Sequence, residues 1–307
     1  MDRETGKKID RLCGKAQALI AVLDSGLGGL SVCAELEGEL RRHPIFRHAH
    51  LSYFNVWPEA GRGYNSMADV AERVEVFDRA LESASTAEPD MILIACNTLS
   101  VLYNRTRFSR ATHIPVVDII DYGVDMIHAE LKAVPKSQVI LLGTRTTISE
   151  GVHQRALVQQ GIDPGRIASQ DCHGVATAIE KGPHSPRVAD LVATYMDEAM
   201  KKLDGRQAVF AALCCTHFGY SRDIFRHALR KRLTVDVTML DPTLAMGRFL
   251  LRMDCNPAFD RGSVTVDVLS KIELAPAGVR QISAIIRPQA PATADALERY
   301  VYKPDLF

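Results

Sequence analysis

The chain has 307 residues, of which 47% are apolar and 24% are charged, and Lys plus Arg balances Asp plus Glu at 37 each. This composition is typical of a globular protein and excludes a disordered or low-complexity chain. A net charge near zero gives no electrostatic reason to expect nucleic acid or an anionic membrane as a partner. Because the length exceeds one usual α/β core, we expect two lobes.

The seven cysteines form an odd set without the density of a disulfide scaffold. The N-terminal stretch MDRETGKKIDRLCGKAQ is charged and lacks the apolar core of a signal peptide. No apolar run approaches the roughly 18 residues that a membrane-spanning helix needs. We therefore expect a soluble, cytoplasmic protein with no membrane partner.

Short apolar runs bounded by polar residues or glycine predict strands. They lie at 18–26, 50–54, 91–97, 114–120, 138–144, 208–215 and 235–240. Most are continuous rather than alternating, which is typical of parallel strands buried on both faces. Helical periodicity is found between them, as at 67–84 and 187–203. The pattern predicts an α/β fold with mainly parallel sheets, whose ligands bind beyond the C-terminal ends of the strands.

A second series of runs begins after an expected boundary near 115–120. We expect residues 18–117 and 220–255 to form lobe 1 and residues 118–219 to form lobe 2. Residues 256–307 differ in character, with short strand-like runs and a Pro/Ala-rich connection, and we assign no role to this extension.

The first run ends in AVLDSGLGGLSV, which places Asp24 and Ser25 at a turn containing Gly26, Gly28 and Gly29. Glycines let backbone N–H groups approach a bound anion near the start of the next helix. The spacing fits neither the P-loop nor G-x-G-x-x-G, so the turn does not predict a nucleotide site. A tight strand-to-helix turn without a ligand is the alternative.

The apolar run at 91–97 also ends in polar residues, because Cys96 is followed by Asn97 and Thr98. A thiol there can serve as an acid or base, and the amide and hydroxyl can hold a substrate. The alternative is an inert cysteine followed by a helix cap, because free cysteine is among the most buried residue types.

The run at 208–215 ends similarly, with Cys214 and Cys215 followed by Thr216 and His217. A metal site is the competing interpretation. Adjacent strand residues point to opposite faces, so the two cysteines cannot both readily bind one ion, and the chain has no C-x-x-C pair. We expect neither a metal nor another cofactor.

Two thiols at equivalent strand ends predict stereoinversion if they face each other across a cleft. One thiolate removes a proton from a carbon, and the opposite thiol returns one to the other face. A free thiol with a pKa of about 8.5 is only a few per cent ionised at neutral pH, so each needs a neighbour to assist it. Asp24 and His217 are the candidates. Neutral hydrogen bonds to the substrate are expected from the polar companions Ser25, Asn97, Thr98 and Thr216.

These segments resemble the signatures of the cofactor-independent glutamate racemases of the Asp/Glu racemase superfamily. LDSGLGGLSV is similar to D-S-G-x-G-G-x-[ST]-V, IACNTLS to A-C-N-T-A-S, and LCCTHFG to G-C-T-H-Y-P, over about residues 20 to 245. The resemblance implies two flavodoxin-like, doubly wound α/β lobes with the active site in the cleft between them. It implies that Cys96 and Cys215 are opposed bases and that Asp24 and His217 tune these two thiols. It also implies an amino-acid substrate and a homodimer.

Some segments depart from the family pattern. YFNVWPEAGRGYN, at 53–65, stands where the family has Y-F-G-D…P-Y-G, whose backbone receives the side-chain carboxylate. We expect Tyr64 and Asn65 to take that place and bind substrate, and Glu180 is a possible match to the family's acidic site residue. Aspartate racemases usually carry Glu where this chain has His217, which favours glutamate. The alternatives are another superfamily enzyme, such as an aspartate or hydantoin racemase, a dicarboxylate isomerase or a decarboxylase, or a non-catalytic homologue that binds an amino acid.

Overall fold

The computed structural model describes residues 12, 15–204, 208–252 and 259–307. Cys13, Cys255 and the expected lobe boundary at 255/256 lie outside these residues. Ten strands are present in the described ranges. They are β1 (Gln17–Asp24), β2 (His48–Asn55), β3 (Met91–Ile94), β4 (Val116–Asp118), β5 (Ser137–Gly143), β6 (Ile167–Asp171), β7 (Ala208–Cys214), β8 (Asp236–Leu240), β9 (Ser263–Ser270) and β10 (Val301–Tyr302).

Helices alternate with these strands. They are α1 (Leu30–Arg42), α2 (Val70–Ser85), α3 (Asn97–Tyr103), α4 (Phe108–Ala111), α5 (Ile119–Ala133), α6 (Arg145–Glu150), α7 (Val152–Gln159), α8 (Val175–Lys181), α9 (Pro186–Met200), α10 (Arg222–Arg230), α11 (Pro242–Gly247), α12 (Pro276–Ile286) and α13 (Pro291–Glu298). Short 3₁₀ turns cover Tyr64–Ser66, Pro164–Arg166, Thr216–Ser221 and Phe249–Arg252. None of the helices in the described ranges combines the length and apolar character of a membrane span.

The strands form two sheets, with the orders β10-β9-β2-β1-β3-β4 and β6-β5-β7-β8. Every neighbouring pair is parallel. The α/β class with mainly parallel sheets, predicted from the continuous apolar runs, is therefore confirmed. All seven residues of β5 are buried, as a central strand covered by helices on both faces requires.

Two parts of the chain pair differently from the expected division into lobes. Strand β8 was expected in lobe 1, but it lies beside β7 in the second sheet. The extension from 256 contributes β9, which pairs with β2 over the whole of 48–55 and so enlarges the first sheet. Both runs are short and apolar in pattern, and such a pattern specifies a strand without specifying its neighbour.

The extension is anchored to α1 by a buried carboxylate. The Glu37 side chain is fully buried and accepts hydrogen bonds from the backbone N–H groups of Ala292 (3.1 Å) and Thr293 (2.8 Å) at the start of α13. The Thr293 hydroxyl donates a third bond of 2.8 Å. A carboxylate at this position satisfies N–H groups that a helix leaves unpaired and interacts favourably with the helix dipole.

Replacing Glu37 by Gln should destabilise the fold by about 1–3 kcal/mol, because one accepting oxygen becomes an amide NH2 group that faces N–H donors. Urea unfolding of wild type and variant measures the change. Glu72→Gln is the matched control: Glu72 pairs at the surface with Arg62 and is 37% exposed, so its loss should cost less than about 1 kcal/mol. Equal unfolding midpoints for Glu37→Gln and wild type would contradict this account of the anchor.

Candidate active site

A cavity of about 620 Å³ lies where the C-terminal ends of the two sheets converge. Nine of the residues predicted as catalytic, substrate-binding or possible site residues line it: Ser25, Asn65, Cys96, Asn97, Thr98, Glu180, Cys215, Thr216 and His217. Asp24 and Tyr64 are 0% and 1% exposed and lie behind its wall. The two strand-end motifs thus share one cavity, although they are far apart in the sequence.

Cys96 follows β3 and precedes the first residue of α3. Its side chain is 6% exposed, and its Sγ lies 3.1 Å from the Ser25 Oγ. Burial, reinforced by the negative charge of Asp24, raises the pKa of Cys96 to about 12. Without substrate, this sulfur therefore carries its proton at neutral pH.

Cys215 follows β7 in an extended conformation, with φ −154°, and is also 6% exposed. Its Sγ lies 3.8 Å from the Nδ1 of His217, whose Nε2 is 2.7 Å from the Glu180 Oε1. Cysteine, imidazole and carboxylate thus form a chain that ends at the cavity. Sequence reasoning identified Glu180 only through its loose match to a family position.

His217 is held in its charged form. Burial opposes the imidazolium, but the hydrogen bonds with Cys215 and Glu180 and the charges of both groups outweigh it and raise the pKa of His217 well above its usual range. A cation this close stabilises negative charge on the Cys215 sulfur. The two thiols therefore have opposite surroundings, one beside a buried carboxylate and one beside an imidazolium.

The glycine turn after β1 lies directly against this second group. A Cβ at Gly28 would overlap the Thr216 hydroxyl and come within 2.6 Å of the His217 Nδ1. A Cβ at Gly26 would lie 2.9 Å from the His217 Nε2. The Leu27 N–H donates to the Glu180 Oε1 at 2.8 Å. The anion that this turn receives is therefore a carboxylate of the chain itself.

Asp24, at the end of β1, lies behind the cavity wall and bonds to the segment that follows β7. The Thr216 Oγ1 donates to its Oδ2 at 2.9 Å, while Oδ1 has no partner among the described residues. Complete burial raises the pKa of Asp24 to about 6, against the lowering influence of His217 and Thr216. At neutral pH the carboxylate is ionised and faces the imidazolium.

Asn97 and Thr98 are oriented by residues of the second sheet's layer that the sequence did not suggest. The Nε2 of His153 lies 3.1 Å from the Asn97 Oδ1, and burial lowers the pKa of His153 to about 4. The neutral imidazole donates to this oxygen, so the Asn97 Nδ2, which has no partner among the described residues, is available. Thr98 Oγ1 lies 2.8 Å from the Thr144 Oγ1.

The segment that departs from the family pattern supplies one cavity residue. The Asn65 Oδ1 accepts a hydrogen bond from the Thr146 N–H (3.0 Å), which leaves the amide donors for a ligand. Arg73 supports the same contact by donating to the Thr146 Oγ1 at 3.2 Å. The Tyr64 ring packs in the hydrophobic core instead.

Further residues of the cavity wall had no signal in the sequence. They are aromatic or cationic, and include Trp57, His173, Lys181, Arg187 and Tyr195. Among the described residues, no group of three His, Cys, Asp or Glu side chains is arranged to hold a metal. Cys214 and Cys215 belong to different hydrophobic clusters, as alternate strand positions should.

A model of the Asp/Glu/Hydantoin racemase family matches residues 20–249. The chain belongs to this family. It is 28% identical over 248 residues to a glutamate racemase of Ralstonia pickettii, with 78% of this chain and 77% of that protein covered. It is 25% identical over 229 residues to a glutamate racemase of Chlorobium phaeobacteroides, with 74% and 76% covered. These relatives are isomerases.

Solved structures agree in fold. A glutamate racemase of Francisella tularensis in complex with D-glutamate has a TM-score of 0.66 at 19% identity, covering 94% of this chain and 99% of that one. A glutamate racemase isoform of Bacillus anthracis has a TM-score of 0.65 at 21% identity, covering 88% and 93%. The family match ends before β9, so the extension lies beyond it.

Replacing Asp24 by Asn should stabilise the fold at neutral pH. Because its folded pKa is about 6 and its ordinary value 3.8, ionisation of Asp24 costs stability as pH rises through this range. The variant should gain up to roughly 3 kcal/mol at pH 7 and progressively less as pH falls towards 4. Thermal unfolding across pH measures the difference.

The matched control is Asp163→Asn, at an exposed position that caps the 3₁₀ turn Pro164–Arg166 and where Asn caps equally well. It should show no such pH-dependent gain. A stabilisation by Asp24→Asn that is equal at pH 4 and pH 7 would contradict the buried charge.

Proposed function

We propose that this chain is an amino-acid racemase that acts on glutamate or another acidic or polar amino acid, by proton transfer between two thiols. The observation that carries the proposal is the placement of Cys96 and Cys215 at two strand ends that line one cavity, each with its own polar partner. The names of the relatives, all glutamate racemases among those cited above, support the same reaction class.

The two thiols have different surroundings: Cys96 carries its proton at neutral pH, and Cys215 lies beside the charged ring of His217. Cys215, beside the cationic His217, removes the Cα proton of one enantiomer and leaves a carbanion whose electron pair is delocalised into the α-carboxylate. Cys96 donates its proton to the opposite face, which inverts the stereocentre. The sulfurs have then exchanged roles, so the same steps in reverse convert the other enantiomer. Both proton-transfer groups belong to the chain, and the steps balance without a cofactor.

Neutral groups around the thiols are suited to bind the amino-acid end of the substrate. The free Nδ2 of Asn97 can donate to the α-carboxylate, and the hydroxyls of Ser25, Thr98 and Thr216 can donate or accept. The carboxylate of Asp24 lies behind this group, where its negative charge favours an α-ammonium.

Three other residues of the cavity wall favour an acidic side chain. Lys181 and Arg187 line the cavity and are exposed, and Asn65 offers amide donors. These groups complement a carboxylate through charge and hydrogen bonds. The homodimer and the cytoplasmic location expected above stay predictions.

Serine in place of either thiol should lower the rate of racemisation by about 10²- to 10⁴-fold. A serine hydroxyl is a far weaker acid than a thiol, so it neither gives up its proton nor forms the basic anion as readily. Chiral chromatography of D- and L-glutamate under reducing conditions measures the loss. In D2O, Cys215→Ser should still exchange the α-proton of the enantiomer that presents it to Cys96, and Cys96→Ser that of the other.

Cys33→Ala is the matched control, since Cys33 is buried in α1 and does not line the cavity. It should keep racemisation within a few-fold of wild type. Full racemisation by Cys96→Ser or Cys215→Ser would rule out the two-thiol mechanism.

We expect the activity to fall at alkaline pH, where His217 loses its charge. Glu180→Gln should move this fall to lower pH. The carboxylate helps to raise the pKa of His217, and the charged imidazole is lost as pH rises through that pKa. Each unit by which the pKa falls reduces the charged population about tenfold at alkaline pH. A pH profile of kcat tests this shift, and an unchanged or upward-shifted alkaline limb would contradict the role of Glu180.

A further inference from the structure

The extension touches the helix that carries Glu180. Gly278, near the start of α12, packs on the backbone of this residue, and a Cβ at Gly278 would overlap the Glu180 carbonyl oxygen and lie 3.3 Å from the carbonyl carbon. Only a hydrogen atom fits in this space. Since the obstructing atoms belong to a backbone, they cannot rotate away as a flexible side chain would.

The contact continues along the end of α8. A Cβ at Gly182, the residue after α8, would lie 3.5 Å from the Gln281 Oε1 of α12. The next two turns of α12 bury Ile282 and Ile286 in the core, along the same side of the helix as Gly278. The helix is thus fixed to the layer of the first sheet through β9 and α13, while it presses on a helix of the second layer.

Glu180 transmits this contact to the site. Its carboxylate holds the His217 Nε2 at 2.7 Å and the Leu27 N–H at 2.8 Å, and His217 in turn lies 3.8 Å from the Cys215 Sγ. The backbone of Glu180 therefore has α12 on one side, and its carboxylate has the catalytic pair on the other.

We infer that α12 of the extension positions the Glu180–His217 pair of the second thiol, with Gly278 as the positioning residue. The inference rests on the function proposed above and assigns a role to a segment that the family match does not cover. An alanine methyl at Gly278 forces α8 and α12 apart by about an ångström, and a misplacement of this size can cost about 10²-fold in rate.

Gly278→Ala should lower kcat by about 10- to 100-fold. It should also move the alkaline limb of the pH profile to lower pH, in the direction expected for Glu180→Gln. The ionisable groups that face His217 are Glu180 of α8, Cys215 of its own segment and Asp24 at the end of β1. Of these, only Glu180 has its backbone against Gly278.

Gly38→Ala is the matched control. Gly38 lies within α1 and also faces the extension, but a Cβ there meets only side-chain atoms of Arg42 and Gln289, at 3.4 Å or more. This substitution should leave both kcat and the pH profile unchanged. Equal effects of the two substitutions would overturn the inference.

A double-mutant cycle separates positioning from general damage to the fold. In the Glu180→Gln background, Gly278→Ala should change kcat by less than about threefold, because the carboxylate that it misplaces is already gone. The same loss of kcat in both backgrounds would show that Gly278 does not act through Glu180.

NMR titration of the His217 ring keeps this test independent of activity. If wild type does not racemise any amino acid, the proposed function fails, but a lower His217 pKa in Gly278→Ala would still support the positioning contact.

If the variant does not fold, Val279→Ala loosens α12 without a clash and should lower the His217 pKa less. If wild type is active and the folded Gly278→Ala variant has an unchanged His217 pKa, the positioning inference is wrong while the proposed function stands.

Discussion

The site depends on the absence of free space between the turn after β1 and the segment after β7. At Gly28 no side chain fits, since the Thr216 hydroxyl and the ring of His217 occupy the position of a Cβ. This contact, with the bond from Thr216 to Asp24, sets where the second sheet lies against the first. Because Cys96 and Cys215 are carried by strands of different sheets, a shift of this contact would separate them. The glycines are thus required by lobe packing.

The same contact creates an electrostatic difference between the two thiols. The negative charge of Asp24 helps burial to raise the pKa of Cys96 to about 12, while Glu180 holds the cationic His217 beside Cys215. An enzyme that inverts a stereocentre by two proton transfers needs one acid and one base at every moment. The proposed mechanism uses the difference in surroundings between Cys96 and Cys215, which arises from burial and hydrogen bonding.

Much of the candidate site could be predicted because its motifs are local in sequence. Cys96-Asn97-Thr98 and Cys215-Thr216-His217 follow strands directly, so a strand prediction also predicts that they lie at a sheet edge. The partners of these residues could not be predicted in this way. His153 meets Asn97 across 56 positions, and the placement of β8 and β9 depends on pairing between distant segments. Hydrophobic patterning specifies a strand but leaves its neighbours open.

In the proposed reaction, two different groups handle the proton on the two faces of one carbon. The most direct test of this mechanism follows the early conversion of pure L-glutamate by the wild-type protein in D2O. Proton NMR, and chiral chromatography coupled to mass spectrometry, show whether the Cα of substrate and product carries hydrogen or deuterium. The two-thiol account predicts D-glutamate that carries deuterium at Cα from the first product onwards, while the remaining L-glutamate keeps its proton. Product that retains the original proton would indicate a single shuttling base and contradict the account.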